Sequence, residues 1–329
     1  MRYSLLVALL SALVLTLFIS SLMIGRNPLP IWQAAQASLH DTSSIVAIIL
    51  TEIRLPRALI GLSVGATLGL CGAAMQGLLR NPLASPDLIG SASGAALGAI
   101  IVLYYGWQAN FSYLLPLASM VGALLTTLLI FVLTGRSAGI TTLILAGVAI
   151  NALMGAMMSL LLNLAPSPYA MRELVLWTLG DLTDRSMDDF WLMLPFTVLG
   201  WLLLLGIGHG LRALSLGEQT ASTLGVQTLW LRWRILLAIA FALGAAVATT
   251  GMIGFVGLVV PHLLRPLVQY DPARLLPVSA LGGAALVLAA DIGVRLIPSE
   301  STLQVGVLTA LVGAPFFLHL ILRSRYEQI

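Results

Sequence analysis

Groups able to do chemistry are sparse in this sequence of 329 residues, and the set is lopsided. All 16 basic residues are arginine; beside them stand 13 acids, four histidines and one cysteine. Without lysine there is no Walker-type phosphate loop, whose G-x-x-x-x-G-K-[ST] lysine must reach the nucleotide phosphates. A Schiff-base lysine is excluded for the same reason. Cys71 lies alone in an apolar run, so neither an internal disulfide nor a cysteine metal cluster is available. A nucleophile–base pairing to weigh is Ser93 in "GSASG" with His262 in "VVPHLL". An intramembrane serine protease would need that pair within hydrogen-bond reach. Small-residue helix packing explains "GSASG" at least as well.

The elements that must position these groups are set by composition. The chain is 59% hydrophobic and 9% charged, with mean hydropathy +1.01, whereas soluble domains carry about 25% charged residues. Uncharged stretches run 3–25, 58–79, 88–135, 137–171, 190–211, 235–264, 275–290 and 301–322. Most reach the roughly 20 residues that cross a bilayer as helix. The fold class is therefore all-α, a polytopic membrane protein, since runs this long exclude barrel strands. The run Ser4–Ile24 exceeds a signal-peptide core and has no small-x-small cleavage site after it, so it is the first span. Expected spans are 4–24, 57–79, 88–105, 113–134, 142–164, 190–208, 229–249, 254–270, 276–297 and 304–323. Only the "TTGMIG" break (Thr249–Gly254) divides two of them, and hydropathy alone permits nine to eleven. Glycines Gly61, Gly65, Gly69, Gly72 and Gly77, then Gly90, Gly94 and Gly98, predict close helix packing. The whole chain, 1–329, reads as a single transmembrane domain.

With ten spans both termini share a side. Placing them in the cytoplasm puts ten arginines inside and six outside, in keeping with the positive-inside bias. The soluble-looking stretch "GLRALSLGEQTASTLGVQ" (Gly210–Gln227) then lies in the cytoplasm.

Four blocks resemble the FecCD-type permease subunits of ATP-binding cassette importers for iron chelates, haem and vitamin B12. They are "RLPRALIGLSVGATLGLCGAAMQGLLRNPLASPDLIGSASGAALGA" (Arg54–Ala99), "LGEQTASTLGV" (Leu216–Val226), "GFVGLVVPHLLRPLVQYDPARLLPVSALGGAALVLAADIGVRL" (Gly254–Leu296) and "VGVLTALVGAPFFLHLIL" (Val305–Leu322). The resemblance implies ten spans per chain and a homodimer in the bacterial inner membrane, surrounded by membrane lipid. It also implies two separate ATPase subunits and a periplasmic binding protein. It implies no cofactor on this chain, ATP and magnesium being held by the ATPase partner, and no nucleic-acid partner.

Several residues acquire implied roles. Gly217, Glu218, Ala221, Leu224 and Gly225 match the coupling-helix motif (about 212–226), in which small residues allow close seating in the ATPase and Glu218 favours a helix start or a basic partner. The plainer alternative is an amphipathic connector on the membrane surface. Arg54 and Arg57 bracket Pro56 in what reads as the first turn of a span. With Arg295 they match arginines that receive acidic residues of the binding protein; the plainer reading is anchoring of helix ends, with Asp291 neutralising Arg295. Asn81 and Leu83, in a loop where Asp87 can open the next helix, and Ile140 with Thr141, match the cytoplasmic gate. Met154, Met157 and Met158 are candidate path lining, or gap-filling core. His262 is expected to bond carbonyls freed by Pro261. The loop after the fifth span carries a helical stretch, Met171–Leu179, and four aspartates, Asp181, Asp184, Asp188 and Asp189, at the outer mouth or on a solvated rim. Thr302 and Gln304 stand where the family usually has Glu and Pro.

Three function classes compete. The importer permease is preferred, with a ferric siderophore as first cargo, then haem, then a corrinoid. An ion-coupled secondary transporter would want ionisable residues near the midplane, whereas Arg265, Asp291 and Arg295 fall toward span ends. The Ser93–His262 protease is the third.

Overall fold

The computed structural model describes residues 2–25, 45–86, 90–109, 111, 113–135, 140–165, 167–297 and 303–326. Every regular element among them is helical. Helix α1 (Tyr3–Met23) precedes the 34-residue α2 (Ile45–Leu78). There follow α3 (Ser91–Tyr104), α4 (Leu114–Thr134), α5 (Ile140–Asn163), α6 (Pro168–Thr178) and α7 (Met187–Leu204). Two short helices, α8 (Gly208–Ser215) and α9 (Glu218–Thr223), lead into α10 (Thr228–Thr250). The chain finishes with α11 (Val256–Leu264), α12 (Pro272–Leu296) and α13 (Val305–Tyr326).

Seven helices, α1, α2, α4, α5, α7, α10 and α12, are long and apolar enough to cross a membrane. Two expected spans come out shorter. Residues 88–105 yield the 14-residue α3, and 254–270 yield the nine-residue α11. At 1.5 Å per residue α11 is about 14 Å long, under half a hydrocarbon core of about 30 Å. The "TTGMIG" break is the cause: Gly251 (φ 70) and Phe255 (φ 67) hold left-handed conformations that stop α10 and delay α11.

That break is buried, so its backbone polar groups need partners. The chain after α6 and the start of α13 supply them. Asp181 N–H donates to the Thr250 carbonyl at 2.8 Å, and Gly306 N–H donates to the Gly180 carbonyl at 3.0 Å. Side chains on Gly180, Gly251 or Gly306 would strike the carbonyls of Met252, Trp177 and Leu179. Three distant glycines thus let three irregular segments touch.

Helix α2 begins twelve residues before the first predicted turn, so Pro56 lies within it. Proline cannot donate to the carbonyl four residues back and crowds it. The helix answers with a π turn over Ile49–Arg54, where Leu55 N–H reaches back to Leu50. The wider turn removes the conflict and re-aims Arg54.

Packing follows the glycine spacing. A Cβ at Gly65 or Gly69 would fall on the carbonyls of Gly283 and Ser279, so α2 and α12 touch backbone to backbone. Gly72 meets Gly257 of α11, and Gly94 and Gly98 seat α3 against Gly122 and Ala118 of α4. Close approach supplies dispersion contacts where lipid gives no hydrophobic drive.

Candidate functional site

The bundle carries chemistry at its two ends. Tyr3, at the start of α1, lies under the Arg274 guanidinium, 5.5 Å from ring centroid to Cζ. The α1 and α12 helices therefore start together, at the end holding α8 and α9, and finish together at the other.

At the finishing end stand the three predicted arginines. Arg57 Nε donates to Asp291 Oδ1 at 2.8 Å, and Arg295 Nη2 donates to Asp291 Oδ2. Asp291 is completely buried, as a carboxylate can be when two guanidiniums compensate it. Arg54 Nη1 donates to the Leu22 and Met23 carbonyls at 2.9 and 2.7 Å. Arg295 Nη1 donates to those of Ser21 and Ile24 at 2.7 and 3.0 Å. The carbonyls left over at the end of α1 are thereby capped by arginines from two other helices. Sequence reasoning placed these cations at one end and named Asp291 as partner of Arg295; the pairing of Asp291 with Arg57 and the capping of α1 went unforeseen. Pro56 stands in the first α-helical turn after the π turn, as expected, although the continuous helix starts earlier.

The opposite end carries the helix pair. Gly217 (φ 109) turns the chain between α8 and α9, and Gly225 (φ 82) closes α9. Gly225 N–H bonds Ser222 O, and Val226 N–H bonds Ala221 O, the pairing of a left-handed C-terminal cap. Nothing of this chain lies within 4 Å of a Cβ built at Gly225, so within the chain glycine there supplies the turn. Ala221 is fully buried within its own chain, and its small size seats α9 on its neighbours. Glu218 is half exposed and lies 3.4 Å from Arg232, so its basic partner is intramolecular. Leu224 and Leu216 are 61% and 66% exposed. The sequence reading named Leu224 and passed over Leu216, whose exposure depends on how α8 lies.

Helix α8 is held by the ends of α2 and α12. Leu211 packs over Gly77, and Gly208 admits Ala273. Arg212 grips Asp271 with two bonds, 2.8 and 2.7 Å. The Arg212 hydrogen bond, helped by the N–H groups of Ala273 and Arg274, holds the Asp271 carboxyl below its ordinary value, against the opposing effect of partial burial.

The loop after α2 reaches the same end. Asn81 Oδ1 accepts from Leu83 N–H at 2.9 Å, leaving the Leu83 side chain 37% exposed. Thr141 opens α5 at this end and is exposed; the side chain of Ile140, together with Asp87 and Thr302, lies outside the described residues. Gln304, just before α13, accepts from Leu308 N–H through its backbone carbonyl.

Along α5, Met154 is buried, Met158 packs against the core, and Met157 is 42% exposed. Ser93 donates to Asn151 of α5. His262 is not its partner: it lies beside Pro82 in the loop after α2, and its buried Nδ1 finds no hydrogen-bond partner among the described residues. The expectation that His262 bonds carbonyls freed by Pro261 is corrected accordingly. No Ser93–His262 dyad forms. Asp181 accepts from Thr183, and Asp189 forms a capping box with Ser186 at the start of α7, so two of the four aspartates do local structural work. Among the described residues no three His, Cys, Asp or Glu side chains are placed to share a metal ion.

Comparison with known proteins adds the following. A family model, the FecCD transport family, matches residues 13–323. The hemin transport system permease protein HmuU of Yersinia pestis is 42% identical over 287 residues, 84% of this chain and 84% of that protein. The vitamin B12 import system permease protein BtuC of Klebsiella pneumoniae is 39% identical over 321 residues, 96% and 93% of the two chains. A solved structure described as an inward-facing conformation of a metal-chelate type ABC transporter superposes with TM-score 0.84 at 32% identity, covering 97% of this chain and 99% of that one.

Proposed function

The chain belongs to the FecCD transport family, and from that premise we propose that it is the permease subunit of an ATP-driven importer for a large metal chelate. The observation that carries the reading is the α8–α9 pair, a turn-bounded helical projection on a chain that has no lysine with which to bind nucleotide phosphates. Force must then come from a partner through contact. Two ATPase subunits bearing ATP and magnesium receive α8 and α9, chiefly through Leu216, Leu224 and the α9 start at Glu218, with Gly217 and Gly225 fixing the turns and Ala221 the seating. That end faces the cytoplasm of the bacterial inner membrane, with both chain termini.

At the outer end Arg54, Arg57 and Arg295 stand with a single carboxylate, Asp291. The net positive charge of this largely buried cluster attracts acidic residues of a periplasmic binding protein, which speeds encounter and sets orientation. Two copies of the chain face each other with ten membrane-embedded helices each, counting the short α3 and α11 together with α13. The side of α5 carrying exposed Leu145, Val148, Leu153 and Met157 turns toward the shared path, with Met154 and Met158 behind it. Asn81, Leu83, Ile140 and Thr141 close the path at the inner end. Because two relatives are named for haemin and vitamin B12, a metal tetrapyrrole now precedes a siderophore as preferred cargo.

The test is uptake into proteoliposomes. Transport should require the ATPase subunits, hydrolysable ATP and loaded binding protein. Uptake driven by an ion gradient with no ATPase present would end this reading.

A further inference from the structure

Helix α8 is wedged between two elements that flank the loop after α2. On one flank Leu211 lies against Gly77, one turn before that loop; a Cβ there would be 3.0 Å from Leu211 Cδ1. On the other, Arg212 holds Asp271 end-on through both carboxylate oxygens. A planar guanidinium bound twice fixes orientation as well as distance.

Asp271 caps α12 and also ends a tight connector from α11. Tyr270 N–H returns to Arg265 O at 3.0 Å, Gln269 N–H to Pro266 O at 3.2 Å, and Asp271 N–H to Val268 O at 3.2 Å. Gln269 and Tyr270 are both left-handed, so residues 265–271 form one tight, hydrogen-bonded turn that joins Arg265 to Asp271.

Arg265 Nη2 donates to Gln76 Oε1, and Gln76 Nε2 donates to the Leu258 carbonyl at 3.2 Å. Gln76 is 1% exposed. The loop lies along α11: Pro82 faces His262 at one end, and Pro86 covers Gly257 at the other, 3.4 Å from a Cβ built there. Leu83 lies between these two contacts. At its root α11 hangs from the Gly251–Phe255 break, whose left-handed residues suit the few positions that absorb a hinge rotation.

We propose that Arg212 and Asp271 are a positioning pair that passes displacement of α8 to the loop 81–86, with α11 as the arm that carries the loop. The proposal rests on the importer reading, since it presumes that a partner moves α8 and that Leu83 closes the path. It adds the route between them: α8, the Asp271 turn, α11, then Pro82 and Leu83.

The experiment uses the complete transporter in proteoliposomes, with ATPase subunits, binding protein and haemin or cobalamin as cargo. Asp271→Asn keeps the α12 cap, because asparagine caps helices as well as aspartate, and removes the charge that Arg212 grips, together with the longer 3.3 Å ion pair to Arg274. Arg212→Gln, His262→Ala and the double variants complete a cycle. Each single change should lower uptake per ATP hydrolysed by about three- to tenfold while the ATPase subunits still co-purify. Asp271→Asn combined with Arg212→Gln, or with His262→Ala, should be no worse than the poorer single. His262→Gln, which keeps a polar side chain of similar reach beside Pro82, should recover most of the loss.

Unchanged uptake per ATP in Asp271→Asn, or losses that multiply in the double variants, overturn the route. Loss of the ATPase subunits from Asp271→Asn also overturns it, since the pair would then serve adhesion. If the unsubstituted protein transports without ATPase subunits, the importer reading itself fails; if it is coupled and Asp271→Asn is equally coupled, only the route does.

Discussion

Arg57 and Asp291, 234 residues apart in the chain, meet with Nη2 2.7 Å from Oδ1 at a point where the aspartate side chain is 1% exposed. Arg295, one turn beyond Asp291 on α12, shares the same carboxylate. One acid thus ties α2 to α12 and steadies the guanidinium that caps α1. Removing one member of a buried charged pair costs about 3–5 kcal/mol, because the others stay buried without compensation. Asp291→Asn should therefore lower the thermal stability of the purified subunit by that order. A loss under about 1 kcal/mol, the range of surface pairs, would show that water already reaches the cluster.

The same cluster bears on docking. Of the three, Arg57 meets Asp291 among the described residues, whereas Arg54 and Arg295 hold the end of α1. Arg57→Glu should weaken capture of the binding protein about tenfold or more at low salt, with a smaller effect at high salt where screening is strong. Because it also sets a second carboxylate against the buried Asp291, it costs stability as well, so capture is compared on folded protein. Arg54→Glu should lower stability by releasing the end of α1. Equal binding by wild type and Arg57→Glu at low salt would leave these residues as anchors alone.

At the other end, the depressed Asp271 carboxyl gives stability a pH signature. A group whose value falls on folding contributes in full above its ordinary value of 3.8 and loses that contribution as pH drops through the lower folded value. The stability gap between wild type and Asp271→Asn should be flat from about pH 5 to 8 and shrink in acid below about pH 4. Unfolding midpoints measured across that range check it, and a gap that widens in acid would contradict the cause assigned to the shift.

Glycine substitutions separate packing from propensity. Gly69→Ala puts a methyl on the Ser279 carbonyl, and overpacking of that kind costs about 1–3 kcal/mol. Gly155→Ala on α5 meets nothing within 4 Å and should stabilise the isolated subunit by about 0.5–1 kcal/mol through helix propensity. Denaturation of the two variants side by side reads the difference directly; similar values would refute the α2–α12 contact.

Leu216 and Leu224 point out of the helix pair. Leu224→Asp should reduce ATPase retention by about tenfold, which corresponds to roughly 1.4 kcal/mol of binding, and leave the midpoint of thermal unfolding unmoved. Co-purification at matched expression measures it. Retention unaltered in a Leu216→Asp, Leu224→Asp double variant would move the contact elsewhere.

Local features carried much of this in advance. Apolar run lengths announced helices, and the four-residue glycine spacing announced which faces of α2 and α3 pack closely. Gly217 and Gly225 stood out in the sequence as part of a motif of small residues; that they bound α9 through their positive φ came only with the structure. Harder to foresee were the π turn before Pro56, which depends on how the helix resolves a steric conflict, and the shortness of α11. The second depends on Gly180 and Gly306 arriving from elsewhere to satisfy the broken backbone.

By itself, then, the order of residues determined a lysine-free, helical, membrane-type chain with a polar projection past its middle, since hydropathy, charge placement and backbone freedom are properties of short segments. Partnership was decided only by the tertiary structure. Arg57 could have faced water or any acid, and Arg54 and Arg295 could have anchored at a surface; folding brought the end of α1 and the buried Asp291 to them. Distance along the chain says nothing about which buried charge and which open carbonyl will meet, because that is settled by the mutual packing of helices that are each stable alone.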